Sequence, residues 1–78
     1  MNAESSDLKE LLLKTDTDFR SLAEKHHQLE DRLNELTHRH YLSEPEQLEE
    51  VTLKKRKLFL KDQMEVIMRR HRQEQARG

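Results

Sequence analysis

Ten positions in the first half of the chain recur at alternating steps of four and three residues, and seven of them are apolar. The positions are Leu8, Leu12, Thr15, Phe19, Leu22, His26, Leu29, Leu33, Leu36 and His40. This heptad spacing runs without a slip from Leu8 to His40 and places its members on one face of a helix. Residues 15 to 18 read Thr-Asp-Thr-Asp, four weak helix formers that are also good caps. We therefore predict a first helical arm over residues 7–39. Within it, residues 8–14 either extend the main helix or form a separate short helix.

One convincing turn signal divides the chain. Ser43 precedes Glu46 by three residues, which is the spacing of a capping box, and Pro45 falls in the first turn, where its missing N–H costs nothing. We expect a turn at residues 40–44, a second helix over residues 44–73 and a frayed tail at residues 74–78. The fold class is then all-α: a single-domain antiparallel two-helix hairpin, coiled-coil-like, with or without a short N-terminal helical extension.

The hairpin predicts which residues of the two arms meet. If the chain folds back at about residue 43, facing residues have numbers that add up to roughly 86, by the geometry of antiparallel helices. This register brings Phe19 near Ile67 and Leu33 near Leu53. Apolar residues then meet at most layers of the contact.

A second apolar stripe runs along the predicted second helix, roughly opposite the face that meets the first arm, at about 100° per residue. A single partner helix cannot cover both faces. We predict that the stripe docks against another copy of the chain or against another protein; the alternative is that its members are ordinary surface apolar side chains. The stripe comprises Leu48, Val51, Leu58, Phe59 and Val66.

Charge is divided unevenly between the two halves. Residues 1 to 50 hold six Lys or Arg against thirteen Asp or Glu, whereas residues 51 to 78 hold nine against three. An antiparallel hairpin lays these opposite charges side by side, so mutual neutralisation is the favoured interpretation. The alternative is a nucleic-acid-binding accessory protein that contacts phosphates, although the pI near 6.5 and the single interleaved aromatic residue, Phe59, argue against it. The candidate anion contacts are Lys54, Lys55, Arg56, Lys57 and Lys61.

Composition narrows the function classes. A chain of 78 residues has little room for a deep water-excluding pocket, and no residue cluster with catalytic spacing occurs, so we expect no enzymatic activity and no small-molecule substrate. The five histidines include no i, i+4 pair and cysteine is absent, so we expect neither a metal site nor a cofactor. His26 lies on the heptad seam and should be partly buried.

Targeting features are also missing from the sequence. Residues 1 to 6 lack the basic and apolar regions of a signal peptide, and the longest apolar run is three leucines, at residues 11 to 13. We therefore expect a soluble cytoplasmic protein without membrane association.

Two segments resemble a known family. Residues 19 to 26 (FRSLAEKH), followed by QLED at 28 to 31, and residues 53 to 64 (LKKRKLFLKDQM) are similar to the YdcH-like family of small bacterial proteins of unknown function. The resemblance covers about residues 8 to 68, and Gln63 stands where the family pattern usually has Glu. It implies a bacterial, cytoplasmic helical hairpin and brings no catalytic residues.

The function we predict is a non-enzymatic interaction module that self-associates or docks on a protein partner.

Overall fold

Within the described part of the chain, the regular secondary structure is all α-helix. A computed structural model describes the backbone of residues 3–77 and the side chains of residues 7–76. Helix α1 spans Ala3–Thr15, α2 spans Thr17–Thr37 and α3 spans Glu44–Arg77. The molecule is elongated, with extents of 53 × 21 × 19 Å. The 34 residues of α3 account for the long dimension, because a helix rises about 1.5 Å per residue.

The predicted all-α class is confirmed, but the two-helix description is incomplete. Helices α2 and α3 form the hairpin, while the N-terminal segment forms a third, separate helix that contacts both. Of the two alternatives for residues 8–14, the separate helix is therefore correct.

Asp16 separates α1 from α2. Its backbone is extended, with φ −113° and ψ 111°, and its side chain accepts a hydrogen bond of 2.8 Å from the backbone N–H of Phe19, which caps α2. Arg20 caps the other helix end, because its guanidinium donates to the carbonyls of Leu13 and Lys14 at 2.8 and 3.0 Å. These contacts satisfy backbone groups that a helix break would otherwise leave unpaired.

The turn between α2 and α3 is closed by the predicted capping box. Ser43 Oγ accepts from the backbone N–H of Glu46 at 3.3 Å, and Glu46 Oε1 accepts from the backbone N–H of Ser43 at 3.0 Å. Arg39 adds an ion pair to Glu46 across the turn. Helix α3 therefore begins at Glu44, as predicted.

Several predicted boundaries need correction. Helix α1 begins at Ala3, four residues before the predicted start of the first arm at residue 7. Helix α2 ends at Thr37, two residues before the predicted end of the first arm, so the turn covers residues 38 to 43. Helix α3 continues past residue 73 to Arg77, so residues 74 to 77 of the predicted frayed tail are helical. The sequence there, Glu-Gln-Ala-Arg, consists of good helix formers with no Gly or Pro. Residue 78 lies outside the described residues.

The apolar core has two parts, one at each end of the hairpin. Near the turn, Leu33, Leu36 and Leu53 are buried together. At the opposite end, helix α1 completes a second cluster that includes Phe19, whose side chain is fully buried. The members of that second cluster are Leu8, Leu12, Phe19 and Met68, with Met64 and Ile67 packed against them.

The observed contacts confirm the predicted register. Leu33 shares a cluster with Leu53, and Ile67 packs against the cluster that contains Phe19. Met68 is more deeply buried than Ile67, the residue that the predicted register places near Phe19. Helix α1 explains the difference, since Leu8 and Leu12 cover Met68.

Candidate interaction surface on helix α3

All five predicted docking residues are exposed on α3. Their exposed fractions run from 43% for Val66 to 69% for Leu48. They lie on the side of the helix opposite Leu53 and Met68, whose burial marks the inner face. We call this set, Leu48, Val51, Leu58, Phe59 and Val66, the outer stripe. The structure shows the exposure that docking requires, and the docking role itself stays a prediction.

Two charged residues interrupt the outer stripe. Lys55 and Asp62 are both exposed, and they are seven residues apart on α3. Seven residues fall short of two full turns by only about 20°, so both lie on the outer face. The outer face thus alternates apolar, basic, apolar, acidic and apolar residues from Val51 to Val66.

A shallow groove adjoins the outer stripe. Phe59 lines one wall of this groove, and its lining is mainly apolar. The groove follows the contact between α2 and α3, so the exposed apolar surface extends from the outer stripe towards α2. The other lining residues are Lys25, Gln28, Leu29, Arg56 and Leu60.

The basic run of α3 does not form one basic face. Four consecutive residues at 100° intervals point in all directions around a helix, which applies to residues 54 to 57. Lys57 Nζ lies 3.2 Å from Glu30 Oε2, and Lys54 Nζ lies 4.0 Å from Glu50 Oε1. Lys61 lines a groove that also contains His26, Glu30, Lys57 and Glu65, where acidic and basic groups are mixed. Of the five candidate anion contacts, two are therefore engaged with glutamates.

A bidentate ion pair ties α2 to α3 near the turn. Arg32 donates through Nε and Nη2 to both carboxylate oxygens of Glu49, each at 2.8 Å, and through Nη1 to Glu35 at 2.8 Å. The hydrogen bonds from Arg32 hold the pKa of Glu49 below its ordinary value, and those to Glu49 and Glu35 raise the pKa of Arg32. All three charged side chains, Arg32, Glu35 and Glu49, are hydrogen-bonded to one another through Arg32, which is typical of a structural link between helices.

His26 is half-buried between α2 and α3, as its seam position predicts. Its Nδ1 lies 3.5 Å from Glu30 Oε1 on the same helix. The buried Nε2 atoms of His26 and His71 have no hydrogen-bond partner among the residues that the structure describes. No three metal-binding side chains among residues 7 to 76 come close enough together to hold an ion. No helix within residues 3–77 is long and apolar enough to cross a membrane.

The hairpin corresponds to a recognised family. The family described as Protein of unknown function (DUF465) matches residues 19–68, which is 50 of the 78 residues. The chain belongs to this family. The match confirms the YdcH-like resemblance, and it begins at Phe19 and ends at Met68, two residues that pack together in the core. Helix α1 lies outside the matched segment. No curated protein and no solved structure matches the chain significantly.

Sequence reasoning missed the contribution of α1 to the core and the pairing of Lys57 with Glu30. The contribution of α1 to the core could have been found from the sequence, because Leu8 and Leu12 belong to the heptad spacing. The pairing of Lys57 follows from the register, since 30 and 57 add up to nearly the predicted 86.

Proposed function

We propose that this chain is a non-enzymatic helical interaction module that docks on a protein surface through the outer stripe. The observation that supports this most directly is that the other helices pack against α3 on one side only. Its inner face packs against α1 and α2, whereas the five apolar side chains of the outer stripe stay in contact with solvent. Aligned exposed apolar side chains on one face are typical of protein interaction sites.

The outer stripe can contribute substantially to association. Fully burying one Leu, Val or Phe side chain contributes about 1.5–3 kcal/mol relative to leaving it exposed. The five side chains are a little more than half exposed on average, so covering all of them contributes about 4–9 kcal/mol. Association costs about 4–15 kcal/mol in lost translational and rotational freedom, so this contribution reaches the lower part of that range.

The concave regions support binding over catalysis. The grooves beside Phe59 and beside His26 are open to solvent and run along helix–helix contacts. Catalytic sites usually enclose their substrates and exclude water.

We keep the cytoplasm as the proposed compartment, as the family resemblance implies.

The nucleic-acid alternative has weaker support. Lys54 and Lys57 are engaged with glutamates, and the remaining cations of the run do not share a face. The interaction module therefore stays the favoured function.

Photo-crosslinking in bacterial cells tests the proposal without assuming a partner. Replacing Phe59 by benzoylphenylalanine keeps an aromatic side chain on the outer stripe and should give a discrete covalent adduct after irradiation. Tyr41 is the matched control, because it is the other strongly exposed aromatic residue, 86% exposed, and lies in the turn. Adduct formation at position 59 and not at position 41 supports the proposal. An absence of adduct at 59, or equal labelling at both positions, overturns it.

A further inference from the structure

We infer that the partner of the outer stripe is a second copy of this chain, packed antiparallel on α3 about a two-fold axis between Leu58 and Phe59. This inference rests on the proposed docking function and names its occupant. It comes from the order of residues on the outer face from Val51 to Val66, which is self-complementary about that point; Leu48 lies beyond this span.

The self-complementarity can be read from residue numbers. In an antiparallel pair of identical helices, facing residues have numbers with a constant sum. For an axis between residues 58 and 59 this sum is 117, so Val51 faces Val66 of the partner subunit and Lys55 faces Asp62 of the partner subunit. At about 1.5 Å per residue, Lys55 and Asp62 each lie about 5 Å from the axis, on opposite sides of it.

Charge pairing selects the antiparallel arrangement. The two-fold axis produces the Lys55–Asp62 contact twice, with opposite charges facing each other. A parallel arrangement in register would instead place each lysine against the partner's Lys55 and each aspartate against the partner's Asp62. Like charges at a contact are destabilising, and such polar positions within an apolar seam are known to set orientation and register.

Both charged residues are available for this contact. Among the described side chains, Lys54 and Lys57 have glutamate partners within the chain, whereas neither Lys55 nor Asp62 takes part in an ion pair. Both are exposed on the outer face. A second copy would thus provide Lys55 and Asp62 with the ion-pair partners that they do not have within the hairpin.

The two ends of α3 are also complementary in charge. Residues 44 to 50 contain four glutamates and no basic residue, while residues 69 to 77 contain four arginines and one glutamate. The antiparallel arrangement lays the acidic beginning of one α3 beside the basic end of the other. Since Glu46, Glu49 and Glu50 already pair with Arg39, Arg32 and Lys54 within the chain, the additional long-range attraction comes mainly from Glu44 and is small.

The flanks of the contact are apolar. Leu58 and Phe59 are adjacent and therefore about 100° apart around the helix, so they lie on either side of the line formed by Lys55 and Asp62. The constant sum applies to residues on that line, whereas the two-fold axis keeps each flank on its own side. Leu58 therefore packs against the partner's Leu58, and Phe59 packs against the partner's Phe59. Leu58 and Phe59, which after Leu48 are the most exposed apolar side chains of α3, are then buried at the centre of the dimer.

A charge-exchange series tests the pairing. Lys55→Glu or Asp62→Lys alone places two like-charge pairs in the interface, and each should raise the dimer dissociation constant by about tenfold or more. The double variant Lys55→Glu/Asp62→Lys restores opposite charges and should return to within about threefold of the native value. The measurement is sedimentation equilibrium, with helicity by circular dichroism as the folding control. A double variant no better than the single variants, or single variants that dimerise like the native chain, overturns the inference.

Cysteine crosslinking tests the orientation independently of stability. The chain has no cysteine, so any introduced thiol is unique. A mixture of Lys55→Cys and Asp62→Cys chains should form the mixed disulfide in preference to either self-linked product, and Leu58→Cys should link to itself. Asn34→Cys, at an exposed position on α2, is the control and should stay unlinked. Preferential self-linking of Lys55→Cys would contradict the antiparallel arrangement.

The two proposals fail in different ways. If the native chain stays monomeric while benzoylphenylalanine at position 59 captures a different protein, the inference of a second copy is wrong and the docking function stands. If position 59 captures nothing, both are wrong.

Discussion

Replacing Phe19 by alanine tests whether the α1–α2–α3 cluster holds the fold together. Phe19 is fully buried and packs with Leu8, Leu12 and Met68. Removing a buried Phe side chain costs about 3–5 kcal/mol, because the lost burial adds to the cavity left behind. The total stability expected for 78 residues is about 4–12 kcal/mol, so this one change removes a large fraction of it.

Phe59→Ala is the matched control, because it removes the same side chain from an exposed position. Phe59 is 63% exposed, so its loss should cost the isolated chain no more than about 0.5 kcal/mol. The assay is urea unfolding followed by circular dichroism, first in dilute solution. At high protein concentration, Phe59→Ala should lose the extra stability that dimerisation gives the native chain, whereas the cost of Phe19→Ala persists at every concentration.

The corresponding shift in melting temperature for Phe19→Ala is at least about 12 °C, since each kcal/mol is worth about 4–8 °C in a domain of this size. Equal destabilisation by the two substitutions in dilute solution would refute the reasoning. So would a cost of less than about 1 kcal/mol for Phe19→Ala, because the site would then not be a packed core position.

Three further predictions concern the helix ends and the ion pair. Asp16→Ala should destabilise the chain by about 1 kcal/mol in urea unfolding through loss of the α2 cap, and Asp16→Asn should recover most of this, because asparagine caps equally well. Ser43→Ala should cost a similar amount, about 1 kcal/mol by the same assay, because it opens the capping box of α3. Arg32 lowers the folded-state pKa of Glu49. The ionised Glu49 carboxylate therefore stabilises the fold above its ordinary pKa of 4.5, and this stabilisation is lost as the pH falls through the folded-state pKa. Glu49→Gln should therefore flatten the acid limb of stability measured against pH, and an unchanged acid limb would contradict the pairing.

Much of the fold can be predicted from local sequence patterns. The heptad spacing of α2 and the capping box at Ser43 are short-range signals, and together they define the hairpin and its register. The division between α1 and α2 is harder to predict, because the heptad spacing continues through Asp16. It depends on the extended backbone of that residue and on Arg20, which reaches back seven residues to the end of α1.

The candidate site was predictable to a similar degree. The exposure of the outer stripe follows from helical periodicity once the inner face of α3 is identified. The partners of the basic run do not follow from periodicity, since the contact of Lys57 with Glu30 needs the register between helices as well as the reach of the lysine side chain. The deep burial of Met68 depends on where α1 packs, which no local pattern specifies.

Sedimentation equilibrium of the native chain and of the Leu58→Ser/Phe59→Ser variant tests the central claim most directly. The account predicts that the native chain approaches twice its 9.5 kDa mass as concentration rises, while the variant keeps its helicity and stays at 9.5 kDa. A Leu13→Ser/Tyr41→Ser variant, which removes two exposed apolar side chains away from α3, should associate like the native chain. Equal association of the native chain and the Leu58→Ser/Phe59→Ser variant would contradict the assignment of the outer stripe as the docking surface.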